Sequence, residues 1–270
     1  MKITGFDHGQ RGVGIRNLQL ILPSVVCSTH ISSRIAKDVG AVTFAHQHGC
    51  GIIGNDVGGI SDFFCELASH PNVGTVLIVG LGCETIQGNE LADKVLGSNP
   101  QTKYLVIQES GGVAGTFESG IKQANDLARS NPASKTELRD LKVGIESNPE
   151  DGRVDLLAKQ LATAEIDFEI ENTSKNSGIS FAKLMGKGVH LIVSFTSESQ
   201  PPSGFPLIPT LNIASNSALH LALGNDFDLP ASATNDQIID LIAKVASGAK
   251  TKSEISGSGE IIAPRVVRSV

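Results

Sequence analysis

Short apolar runs alternate along this chain with longer stretches in which apolar residues recur at the spacing of one helix face. This is the pattern of βαβ units built around a mainly parallel sheet. In the first half it predicts strands at 19–26, 41–46, 75–80 and 103–107, and helices at 28–39, 60–69, 89–96 and 115–130. Asn131-Pro132-Ala133-Ser134 then interrupts the pattern, because proline and small polar residues end helices and start linkers. The second half restarts with strands at 141–145, 166–170, 189–195 and 209–214, and helices at 154–162, 180–185, 217–223 and 235–247. The expected fold is α/β: two Rossmann-like or flavodoxin-like parallel-sheet domains, each a three-layer αβα sandwich, at 1–134 and 135–270. The halves also look alike, since Val76–Glu84 can be laid over His190–Glu198. Duplication and the shared physics of βα units both account for that.

Chemistry-bearing residues gather at the predicted strand ends. Cys27 follows the first strand, Cys50 the second with His46 and His48 just before it, and Cys83 the third with Glu84 after it. The fourth strand runs into Gln108-Glu109-Ser110-Gly111-Gly112. In an open parallel sheet the carboxyl ends of the strands face one crevice, and ligands bind there. One pocket supplied with thiol, imidazole and carboxylate groups is therefore expected.

Composition narrows the partners. A net charge of −6 argues against electrostatic capture of nucleic acid or an anionic membrane, which needs a basic face, although local basic spots remain compatible with it. No apolar run approaches the ~20 residues of a membrane span. The four cysteines lack the spacing of a secreted disulfide framework, and Met1-Lys2-Ile3-Thr4 begins without an apolar signal region, so a cytoplasmic protein with reduced thiols is expected.

Each motif has a bland and a chemical reading. Gly49-Cys50-Gly51-Ile52-Ile53-Gly54 fits the dinucleotide pattern, but the preceding histidines and the poor helix start that follows weaken that reading. His46, His48 and Cys50 point to one side of an extended segment and suit a divalent metal; alternatively Cys50 is a small buried residue and the histidines are solvated. Glu84 and Glu109 suit proton transfer or metal ligation, or else complement helix dipoles. Arg16 and Asn17 suit a substrate carboxylate, or form a surface turn. Cys65 reads as a core thiol.

Taken in order, the segments around Gly5–Asn17, Ser24–Ser28, His46–Gly51, His70–Gly74, Gly80–Glu84, Gln108–Gly112 and Val245–Glu254 resemble the altronate and galactarate dehydratase family of sugar-acid lyases. The likeness has gaps. Gln10-Arg11-Gly12 stands where the family has Asp-Gly-Arg, and Glu146–Gly152 stands where it has Cys-Gly-Gly-Ser-Asp-Gly. A long central stretch and the family's small N-terminal domain have no counterpart, so a separate small subunit supplying that domain is expected.

The resemblance implies a hydro-lyase that eliminates water from a sugar acid or short hydroxy acid with metal assistance. It implies a divalent metal, iron(II) in preference, near His46, His48, Cys50, Cys83 and Cys27, or else an iron–sulfur cluster on the three cysteines. Glu84, Glu109 and His46 would move protons; Arg16, Asn17, Ser28, Gly111 and Gly112 would contact the substrate. The alternative is a non-catalytic or partner-dependent subunit of such a lyase. Association of identical chains into a homo-oligomer is compatible with either.

Overall fold

A computed structural model describes residues 3–50, 56–147, 151–172, 177–196 and 201–263. The chain divides into two compact units, one of Phe6–Ser134 with Ile261–Val270, the other of Lys135–Glu260 with Met1–Gly5. It starts with β1 (Ile3–Asp7) and β2 (Val13–Gly14), which pair antiparallel. The first parallel sheet is built from β3 (Leu18–Pro23), β4 (Val73–Gly80) and β5 (Thr102–Val106). Between and after them run α1 (Thr29–Val39), α2 (Asp56–Ser69), α3 (Gly88–Ser98) and α4 (Gly112–Ser130). Helices α1 and α4 pack on one face of this sheet, α2 and α3 on the other.

The alternation of side chains along a strand explains the two layers of core. Ile21, Leu77, Val79 and Leu105 pack with Ile31 and Ile35 of α1 and with Ala124 and Leu127 of α4. Their neighbours Leu20, Leu22, Val76 and Ile78 point to the other face and are equally buried. All eight positions of β4 are therefore buried, as a strand covered on both faces requires. Helices α1 and α4 meet closely at Gly120, where a Cβ would stand 2.4 Å from Ile35 Cδ1.

The strand expected at 41–46 is reduced to one parallel bridge, between Leu20 and Val42. Beyond Val42 the backbone leaves the ladder, and the next link to β3 is made by a side chain, His46 Nε2 to the Pro23 carbonyl at 2.8 Å. Counting Val42 as the second strand, the spatial order is second, first, third, fourth in chain order. The direction of winding reverses between β3 and β4, and in such sheets the crevice opens at that reversal.

The stretch read as a linker leads into β6 (Ser134–Leu138), which lies in a three-stranded sheet of order β2-β1-β6. Its polar sequence gives no apolar run to signal it. The second unit has β7 (Lys142–Ser147), β8 (Asp167–Asn172), β9 (Leu191–Phe195) and β10 (Thr210–Ile213), all parallel, in the order β10-β9-β7-β8. This is the same second, first, third, fourth order as in the first unit. Its helices are α5 (Arg153–Thr163), α6 (Ser177–Gly186), α7 (Ser217–Leu223), α8 (Asn235–Ala246) and α9 (Lys252–Ser256). Among the described residues no helix is long and apolar enough to cross a membrane.

Candidate active site

Strand β3 runs directly into Ser24, which is buried and donates its hydroxyl to Glu84 Oε1 at 3.0 Å. A single 3-10 turn, Val26–Ser28, follows and turns Cys27 out to solvent. Ser28, expected to touch substrate, is instead fully buried, and its hydroxyl braces the turn through the Val25 carbonyl at 2.8 Å.

The second loop is organised by His46. Its Nε2 donates to the Pro23 carbonyl, and its Nδ1 accepts the His48 peptide N–H at 3.1 Å. Both ring nitrogens are thus engaged by backbone groups, and the ring is 6% exposed. Burial, the largest influence, holds its pKa down at about 4, so the imidazole is neutral near neutral pH. Neither nitrogen is left open to a metal or substrate proton in this arrangement. The His48 ring is buried and stacks on His46 at 5.5 Å between centroids, and its carbonyl accepts the Val26 N–H at 2.7 Å. Cys50 follows, exposed. The rest of the glycine-rich dinucleotide-like segment, 51–54, lies outside the described residues.

Strand β4 ends in Gly80, and the turn after it is shaped by Glu84. That carboxylate is 2% exposed and accepts the Gly82 N–H at 2.6 Å, the Leu81 N–H at 3.3 Å and the Ser24 hydroxyl. Two glycines make room for it. A Cβ on Gly80 would lie 2.5 Å from Glu84 Oε1 and 2.7 Å from the Tyr104 hydroxyl; Gly82 has φ +117°, a region where other residues are strained. Tyr104 of β5 has its pKa pushed up to about 12, first by burial and then by the charges of Glu84 and Glu109. It stays protonated throughout the physiological range.

The turn after β5 carries Gln108, Glu109 and the left-handed glycines Gly111 and Gly112. Gln108 and Glu109 are exposed, and Gln108 Nε2 lies 3.7 Å from Cys83 Sγ. No heavy atom stands within 4 Å of a Cβ built on either glycine, so a ligand can approach the backbone there.

These loops are joined to one another. Thr85 Oγ1 donates to the Cys50 carbonyl at 2.8 Å, and Cys50 Sγ donates to the Cys83 carbonyl at 3.3 Å. The Cys50 thiol pKa is raised by desolvation, and next by the charges of Cys83 and Cys27, a contact with the Cys83 side chain, and Glu84. Cys27, Cys50 and Cys83 therefore share one electrostatic neighbourhood at the reversal between β3 and β4. Among the described residues, however, no three His, Cys, Asp or Glu side chains are already arranged to hold a metal ion.

Residues 5–131 match the family model described as D-galactarate dehydratase/altronate hydrolase, second domain, and residues 154–268 match that for the D-galactarate/altronate dehydratase C-terminal domain. The chain belongs to this family. It is 28% identical to altronate dehydratase of Escherichia coli (strain K12) over 174 residues, 59% of this chain and 35% of that protein. It is 29% identical to altronate dehydratase of Bacillus subtilis (strain 168) over 181 residues, 62% of this chain and 36% of that protein. The chain spans about a third of the length of these curated relatives.

Two of the residues expected in the dehydratase pocket lie elsewhere. Arg16 and Asn17 precede β3 and so stand at its amino end, whereas the cysteines stand beyond its carboxyl end. The six residues of β3 alone separate these ends by roughly 20 Å. The Arg16 backbone N–H donates to the Asn72 side-chain Oδ1, and its guanidinium NH1 donates to the Ile15 carbonyl. Cys65 lies in α2, half-buried, with its pKa raised chiefly by burial. Sequence reasoning missed Ser24, Thr85, Tyr104 and Gln108 as site residues. The available signals were the isolated serine at the end of β3 and the chain's single tyrosine one strand away from Glu84.

In the second unit the equivalent strand reversal, between β7 and β9, also joins a glutamate to a serine. Glu146 is fully buried and opposite Ser194 in register, and accepts its hydroxyl at 2.7 Å. Burial raises the Glu146 carboxyl pKa. No thiol stands there. Residues 148–150 of the segment that departs from the family pattern lie outside the described residues.

Proposed function

We propose that this chain carries the reactive centre of a sugar-acid dehydratase that removes water from a hydroxy acid of the altronate or galactarate kind. The observation that supports it is the gathering of the Cys27, Cys50 and Cys83 thiols at one strand reversal, in a chain of this family. Three thiols at one strand reversal form a donor set suited to a thiophilic cation, iron(II) or the iron of an iron–sulfur cluster. Bound there, such a group would supply positive charge to the substrate's carboxylate and departing hydroxyl.

Dehydration requires a base to take the proton from the carbon next to the carboxylate while the carbon–oxygen bond on the adjoining carbon breaks. The hydroxyl gains a proton and leaves as water, and the resulting enol rearranges to a 2-keto acid. Glu109 suits the base: its carboxylate is exposed, and its neighbour Gln108 reaches Cys83. Glu84 suits a different task. Its bonds to Gly82, Leu81 and Ser24 hold the loop that presents Cys83. The open backbone at Gly111 and Gly112 admits the substrate, while Arg16 and Asn17, at the far end of β3, take no part.

A second reading, a partner-dependent or non-catalytic subunit of such a lyase, is favoured by the lack of a ready-made ligand set among the described residues. One experiment separates the two. Anaerobically purified protein is analysed for iron and sulfide and assayed for 2-keto acid with altronate and galactarate. Iron that disappears in Cys83→Ser, together with product formation, supports the enzyme; bound iron without product supports the subunit. Neither iron nor product would sink the proposed centre.

A further inference from the structure

At the opposite, amino end of the first sheet lies a cavity of about 300 Å³, at the lower end of the range of small-molecule sites. Asp7, His8, Arg11, Asn17, Gln101 and Asn131 line it. It is a built site. His8 is fixed by Nδ1 to the Pro71 carbonyl at 2.6 Å and by Nε2 to Asn17 Oδ1 at 3.0 Å. Asn17 in turn fits only because residue 74 is glycine: a Cβ there would stand 2.0 Å from Asn17 Oδ1.

Arg11 is the unusual member. Its NH1 donates to the Val73 carbonyl and its NH2 to the Gly74 carbonyl, while Nε is buried without a hydrogen-bond partner. Both acceptors are neutral. No ion pair of Arg11 is present among the described residues, and burial alone lowers its pKa to about 10. A half-buried cation with its Nε buried and no counter-charge carries a desolvation cost, and an anion entering the cavity would relieve it. The rest of the lining determines what kind of anion. Asn17, Gln101 and Asn131 are neutral amides that can donate and accept. Asp7 keeps one carboxylate oxygen on the Gly9 N–H at 2.8 Å, which leaves the other as an acceptor. Asp7 on the wall disfavours a second negative charge in the ligand. One negative charge accompanied by hydroxyl groups matches Arg11, Asp7 and the three amides.

We propose that this cavity binds a small hydroxylated monocarboxylate, its carboxylate on Arg11 and its hydroxyls on Asp7, Asn17 and Gln101. The site is separate from the thiol cluster and does not depend on the dehydratase reading. The length of β3 lies between them, so a ligand here would act on the thiol loops only through the sheet.

The test is an NMR titration of the whole chain with sodium D-gluconate, using D-sorbitol as the uncharged analogue. Saturable shifts are expected at the amides of Gly9, Gly74 and Gln101, with none from sorbitol. Arg11→Gln should weaken binding at least about tenfold, the scale of a lost charge-assisted hydrogen bond. Gln101→Glu, which leaves Arg11 and its carbonyl bonds in place, should weaken it as well by adding a negative charge. That variant keeps the test valid if Arg11→Gln fails to fold. Cys83→Ser should leave gluconate binding unchanged. Equal binding of sorbitol, no effect of Gln101→Glu, no saturable shift at those amides, or shifts confined to the thiol loops and lost in Cys83→Ser would each overturn the proposal. The last result would leave the dehydratase reading standing.

Discussion

His46 links loop geometry to acid stability. In the folded chain its pKa is about 4, against an ordinary value of 6.5, because protonation would place a charge in a buried ring whose Nδ1 already accepts the His48 N–H. Above pH 6.5 both the folded and unfolded chains hold the ring neutral, and folding is indifferent to pH at this group. Between 6.5 and 4 the unfolded chain takes up a proton that the folded chain refuses, so stability falls as pH falls. The difference of about 2.5 pKa units, at 1.36 kcal/mol per unit, corresponds to about 3 kcal/mol lost by pH 4. The comparison is urea unfolding of the wild type and His46→Gln across that range. Carboxylates titrate in both proteins and cancel in the difference. The wild-type advantage should shrink by about 3 kcal/mol as the pH drops, and the His46 ring resonance should titrate near 4. A ring that titrates near 6.5, or a difference constant with pH, refutes the reasoning.

Other consequences are open to direct measurement. Gly80→Ala should destabilise the fold by about 1–3 kcal/mol in urea unfolding, because its Cβ meets Glu84 and Tyr104 at 2.5 and 2.7 Å. Gly120→Ala should cost a similar ~1–3 kcal/mol through Ile35, with no effect on thiol reactivity. In iodoacetamide labelling of metal-free protein, the pH midpoint for Cys50 should lie above that of an ordinary thiol and move down in Cys83→Ser, which removes a neighbouring charge. If the chain proves to be a dehydratase, Glu109→Gln should lower kcat by about 10²–10⁴ with little change in melting temperature. Glu84→Gln should instead lower the melting temperature, since the Gly82 and Leu81 N–H groups lose a charged acceptor.

Much of the fold was legible in the chain because its signals are local. The continuous apolar run of β4 marked a strand covered on both faces, and the helical periods of 28–39, 115–130 and 217–223 ended within a few residues of α1, α4 and α7. What failed locally were segments whose structure rests on partners distant in sequence. The stretch 41–46 reads as a strand by composition, yet only Val42 joins the ladder. The Ser134–Leu138 strand has no apolar run and gains its order from pairing across the chain.

The candidate site divides in the same way. That Cys27, Cys50 and Cys83 follow the strand positions is a property of sequence, and parallel winding carries all three to one edge. Which groups there are free to react is a tertiary matter, because burial and hydrogen bonding are settled by neighbours tens of residues away. Ser24, 60 residues before Glu84, occupies that carboxylate. Pro23, 23 residues before His46, occupies that imidazole. Arg16 and Asn17, close to Cys27 in sequence, are kept from it by the length of one extended strand, a separation that only the direction of β3 imposes.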